Sequence, residues 1–141
     1  YGPSYVSFQY VLARQGLIPE GVFGITSASP KRNRDVDTPL GRFSYRHLPQ
    51  EVYSFGFIRE ELPDGSGFLI ARPEKAVLDL IYQTGAVRST GALESRLFQD
   101  LRIDPEGWEA LDLGLLREYA LRMPGKTFRI HLPKLLGRRH A

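Results

Sequence analysis

Asp35-Val36-Asp37-Thr38-Pro39-Leu40-Gly41-Arg42-Phe43-Ser44-Tyr45-Arg46-His47-Leu48 reads as one β-hairpin. Pro39 and Gly41 hold the second and fourth positions of Thr38-Pro39-Leu40-Gly41, which suits a type I turn. On the return strand, alternation puts Phe43, Tyr45 and His47 on one face and Arg42, Ser44 and Arg46 on the other. Upstream, Val22–Ala28 is a strand candidate after a loop at Pro19 and Gly21. Before it, Ser4 is placed to cap a helix carrying Tyr5, Phe8, Val11 and Leu12 on one face, with Gly16 as its stop. Downstream, Phe55–Leu62 and Phe68–Ala71 are strands joined by the turn-rich Pro63-Asp64-Gly65-Ser66-Gly67.

The second half reads as helical. Pro73 suits the first position of a helix, Glu74 complements the positive end of its dipole, Val77, Leu80 and Ile81 form the buried stripe, and Gly85 ends it. Thr90 is placed to cap a helix bearing Leu93, Leu97, Phe98 and Leu101. Asp104-Pro105 starts a turn, and Asp112 caps a helix with Leu115, Leu116 and Tyr119. In the tail, Leu132, Leu135 and Leu136 suggest a helix, which Pro133 interrupts unless the helix begins there. The expected fold is α+β: a small, mainly antiparallel sheet packed by helices, with a helical C-terminal extension. Residues 1–88 form the α/β core and 89–141 the helical part of the same domain.

Composition excludes several functions. With no cysteine, the chain has no disulfide scaffold, no Cys-ligated zinc or iron–sulfur centre and no thiol nucleophile. No run of 18 apolar residues is present, and the first residues lack the basic and apolar regions of a signal peptide, so a cytoplasmic protein without membrane contact is expected. Because it starts at Tyr1, the chain reads as a fragment lacking an N-terminal part. The net charge is only +3, but 4 of 19 basic residues are Lys and the rest Arg, the residue suited to bidentate phosphate and carboxylate contacts.

Enzyme motifs are incomplete. Gly125-Lys126-Thr127 imitates the end of a P-loop, but Ala120 stands where the first glycine is required. Asp35 and Asp37 share a strand face and could hold Mg²⁺, but no Gly-Ser loop precedes them at a suitable distance. Glu74, Lys75 and Asp79 suggest a nuclease. On a helix, however, Glu74 serves the dipole, and Lys75 with Asp79 makes an i,i+4 pair worth a few tenths of a kcal/mol. His47, His131 and His140 are scattered. No catalytic residue, metal or cofactor is assigned. The basic residues give a better signal: Lys31, Arg32 and Arg34 precede the hairpin, and Arg42 and Arg46 project from its return strand, where they could contact phosphates. A solvated edge strand explains the same charges. Lys134, Arg138, Arg139 and His140 form a second basic cluster.

Four segments in order resemble the AbiEi-type antitoxin family of abortive-infection, type IV toxin–antitoxin pairs. They are Gly2-Pro3-Ser4-Tyr5-Val6-Ser7 continuing to Gly16-Leu17-Ile18-Pro19; Thr26 through Lys31-Arg32; Thr38 through Leu48; and Ala71-Arg72-Pro73-Glu74-Lys75-Ala76-Val77-Leu78-Asp79-Leu80. The last departs from the usual family form at Arg72 and Val77, and the likeness covers residues 1–85. The resemblance implies the regulatory domain of a transcriptional repressor that counteracts a nucleotidyltransferase toxin without catalysis. It also implies promoter DNA as a partner, bound mainly through a winged helix-turn-helix outside this chain, and it leaves homodimerisation open. The motif residues then read as scaffold, and Lys31, Arg32, Arg34, Arg42 and Arg46 as the partner- or nucleic-acid-binding set. The alternatives are a general nucleic-acid module using the basic hairpin and a metal-dependent nuclease or phosphotransfer enzyme.

Overall fold

The hairpin forms as β3 (Arg34–Thr38) and β4 (Gly41–His47), with Val36 opposite Phe43 and Asp37 opposite Arg42. The Thr38 hydroxyl donates to the Gly41 carbonyl at 2.7 Å, tying the turn. Coordinates come from a computed structural model that describes residues 3–19, 24–39 and 41–138. Leu40 in the turn, Gly2, Gly21, Val22 and Phe23, and Arg139 and His140 of the second basic cluster lie outside the described residues.

The hairpin joins a six-stranded sheet of order β3-β4-β2-β1-β6-β5, completed by β1 (Tyr5–Val6), β2 (Gly24–Ser29), β5 (Phe57–Glu61) and β6 (Gly67–Ala71). The α+β class holds, but the sheet is mixed and not mainly antiparallel, because β2–β4 and β1–β6 are parallel pairs. Both join strands that are not consecutive in the chain. β4 lies beside β2, and β3, which carries Arg34, Asp35 and Asp37, is left at the edge, where charge blocks edge-to-edge pairing.

Tyr5 lies in a strand, not in the expected first helix. Its i,i+3 relation to Phe8 imitates a helical face, yet Tyr5 and Val6 pair with Ala28 and Ser27 of β2, and Val6 also with Ile70 of β6. The helix, α1 (Phe8–Arg14), begins at Phe8, which takes a left-handed φ of 58°. Such a conformation costs a bulky residue on the order of 1–3 kcal/mol, which complete burial of Phe8 offsets. Gly16, with φ 72°, ends this helical stretch as read.

A short α2 (Gln50–Tyr53), not expected from the sequence, leads to β5. α3 (Pro73–Thr84) runs from Pro73 to Gly85 as read. α4 (Thr90–Ser95) is capped by Ser89 in place of Thr90, the Ser89 hydroxyl accepting from the Ala92 N–H at 3.0 Å, and continues as a π-helical segment, Arg96–Asp100. Asp104-Pro105 opens a helix, α5 (Pro105–Ala110), and Asp112 caps α6 (Leu113–Ala120). In the tail a second π-helical segment, Thr127–His131, leads into α7 (Leu132–Leu136). Pro133 sits in the first turn of α7, where its missing N–H is tolerated. One apolar core runs from Tyr5 to Leu136 and takes side chains from both halves of the chain. Among the described residues no helix is long and apolar enough to cross a membrane.

Candidate functional site

The fourth of the resembling segments supplies the most buried polar cluster. Lys75 and Asp79 lie one turn apart on α3, and both side chains are fully buried. The ammonium of Lys75 donates to Asp79 Oδ1 at 2.5 Å, to the Tyr5 hydroxyl at 2.8 Å and to the Val52 carbonyl at 2.7 Å. Asp79 Oδ2 accepts from the Tyr5 and Ser7 hydroxyls, each at 2.8 Å. The ammonium also lies 4.5 Å from the centre of the Phe55 ring, a cation–π contact. Burial pushes the Asp79 carboxyl up and the Lys75 ammonium down, opposed in each case by the attraction between them. Burial likewise raises the Tyr5 phenol, with the Asp79 charge adding to the effect.

One expectation changes here. Lys75–Asp79 is not a surface i,i+4 pair worth a few tenths of a kcal/mol, because neither charge has access to water that could screen it. Nor do Glu74, Lys75 and Asp79 converge on a cleft: Glu74 Oε2 accepts the Asp112 backbone N–H at 2.9 Å, fastening α6 to α3. Among the described residues no group of three His, Asp or Glu side chains could hold a metal ion.

The five basic residues proposed from the sequence divide between locations. Lys31 and Arg32 lie in the β2–β3 loop, which is pinned by His47: its N–H donates to Asn33 Oδ1 at 2.7 Å, and its Nδ1 is 3.0 Å from the Pro30 carbonyl and 3.2 Å from that of Lys31. Arg34 is registered opposite Tyr45 and so shares the face of Phe43 and Tyr45. Arg42 and Arg46 lie on the other face, where both bind Asp35, at 3.0 and 2.9 Å. The guanidiniums of Arg46 and Arg42 hold the Asp35 carboxyl at about 2, well below the usual range. Asp35 is therefore an anionic anchor for two arginines and not half of a metal pair with Asp37.

Sequence reasoning missed a groove on the Phe43 face. Register aligns Val6 with Ser27 and Ile70, Ile25 with Phe43, Ser27 with Tyr45, and Phe68 with Glu60. With Tyr10 and Arg14 of α1, residues of this face line a groove of about 560 Å³, and Arg14 and Glu60 of its lining form an ion pair at 2.7 Å. Phe43, Tyr45 and Phe68 are half-buried. Alternation along β4 had already put Phe43 and Tyr45 together, but the strand order that brings Val6 and Phe68 to them had no local signature.

Compared with protein-family models and with curated proteins, the chain matches none.

Proposed function

We propose that this chain is the regulatory, partner-binding domain of an AbiEi-type antitoxin, acting by binding and not by catalysis. The observation that carries the reading is that the four resembling segments meet in one place. Tyr5 and Ser7 of the first bond Asp79 of the fourth. Thr26 of the second donates to the Ser7 carbonyl at 2.5 Å and accepts the Tyr10 N–H at 3.1 Å. Ser44 of the third is registered beside Thr26. Chance likeness in four short stretches has no reason to select side chains that complete one another across 72 positions. The same sealing supports a binding role, because Lys75 and Asp79 offer no substrate a path to reach them.

The test is toxin rescue. The chain is co-expressed with the toxin gene neighbouring its own and growth is scored, with the product of the whole open reading frame as control. Restored growth with the chain alone is expected. No rescue by either protein overturns the antitoxin reading. A nucleic-acid module is the second reading, favoured by Arg34 sharing a sheet face with Phe43 and Tyr45, since rings can stack bases while guanidiniums meet phosphates. It requires an affinity for single strands that falls steeply with salt.

A further inference from the structure

The helical half holds a second concavity that the reading above does not use. α6 ends at Ala120, and the chain turns through Leu121 and Met123 into the second π-helical segment and α7. A cleft of about 560 Å³ lies here, lined by Leu121, Met123, Phe128, Pro133 and Leu136, with the guanidinium residues Arg117 and Arg129 also in its wall. Leu121 is 88% exposed, the highest value among the exposed large hydrophobic residues described. Arg117 and Arg129 are exposed, and neither has a carboxylate partner among the described residues. They differ in this from Arg14, Arg42, Arg46, Arg59 and Arg138, each of which is paired with an acid. One wall is formed by the π-helical segment carrying Phe128 and Arg129, a widened turn of a kind frequent at functional sites.

We propose that this cleft docks an acidic amphipathic helix of a partner protein. Leucine-type side chains spaced one turn apart would enter beside Leu121, and carboxylates on the flanks would meet Arg117 and Arg129. Nucleic acid is disfavoured because Phe128, the cleft's one aromatic residue, is only 3% exposed and offers no ring face for stacking. A membrane surface is disfavoured because Met123, Phe128 and Leu136 are buried, which leaves Leu121 and Pro133, among the described residues, as the only exposed apolar side chains of the cleft that could insert.

Peptide display tests this. A 12-residue random peptide library is selected on the whole chain and counter-selected on the Arg117→Glu/Arg129→Glu variant, and the winners are measured by fluorescence anisotropy. The expected winners combine Glu or Asp with large apolar residues at i, i+3 or i+4, and i+7. They should bind roughly tenfold or more weakly to the double Glu variant and to Leu121→Asp, and within about threefold of wild type to Arg117→Lys/Arg129→Lys. All three side chains are exposed, so circular dichroism should report unchanged folds. Failure to recover peptides that depend on these residues, or recovery of basic or uncharged ones, overturns the proposal. So does co-sedimentation of the protein with phosphatidylcholine–phosphatidylglycerol vesicles that Leu121→Asp abolishes, which would assign the cleft to lipid. No toxin enters the assay, so the outcome is separate from that of the rescue experiment.

Discussion

Replacing Lys75 by Met tests the account of the core most directly. Met preserves much of the side-chain volume but removes three hydrogen bonds, to Asp79 Oδ1, the Tyr5 hydroxyl and the Val52 carbonyl. Asp79 would keep only the Tyr5 and Ser7 hydroxyls for an otherwise uncompensated buried charge. Breaking one side of a buried ion pair costs about 3–5 kcal/mol. Leaving the Val52 carbonyl unpaired adds about 1–3 kcal/mol, and protonation of Asp79 takes part of the total back. The expected loss is therefore about 3–5 kcal/mol, or roughly 10–15 °C in Tm for a chain of this size. Lys75→Met/Asp79→Asn removes both charges and should be less destabilised than Lys75→Met alone, a coupling of roughly 2 kcal/mol or more. The pH dependence has a defined sign. A carboxyl whose pKa is raised on folding contributes stability that is present below its unfolded value and lost as pH rises through the folded one. Lys75→Met should thus lose stability as pH rises above the ordinary carboxylate range, and the double variant should not. Urea denaturation over that rise in pH is the assay. A loss under about 1 kcal/mol, or additive single and double variants, would refute the buried-pair account.

Two further outcomes follow from the geometry. Gly56→Ala should cost several kcal/mol in urea unfolding, because Gly56 has φ +85° and an added Cβ would lie 2.5 Å from the Lys75 Cγ; a near-neutral effect would show that Lys75 can move. The Asp35 carboxyl, followed by NMR, should titrate at about 2. Its contribution is present above its ordinary pKa and lost as pH falls through about 2. In Arg42→Ala/Arg46→Ala the titration should return toward the ordinary value, and an unmoved midpoint would exclude the arginines as the cause.

The parts of the fold legible in the sequence are those that depend on neighbours in the chain. Thr38-Pro39-Leu40-Gly41 marked the hairpin, Pro73 and Gly85 bounded α3, and Asp112 capped α6, because turns and caps are satisfied within a few residues. Tyr5 misled because its spacing from Phe8 is shared by a helix and by a strand that bends into one. The parallel pairs were invisible because the choice of β4 over β3 as the neighbour of β2 depends on which strand tolerates the edge. For the candidate site, alternation correctly paired Arg42 with Arg46. It could not show that Asp35 holds both, or that Arg34 belongs with the aromatic face. Nothing local distinguishes Lys75–Asp79 from a surface pair, since burial is decided by Tyr5, more than seventy positions away.

That separation has a consequence for how the chain is made. Tyr5 leaves the ribosome 74 residues before Asp79, which at cellular elongation rates is a delay of roughly 4–15 s. For part of that interval, from the addition of His47 to that of Gly67, β2 and the hairpin exist as polypeptide while β6, the strand on the other side of the two-residue β1, has not been synthesised. The nascent N-terminal half therefore exposes an unpaired strand edge until its last neighbour arrives, so slower elongation should increase capture by chaperones and misassembly at β1.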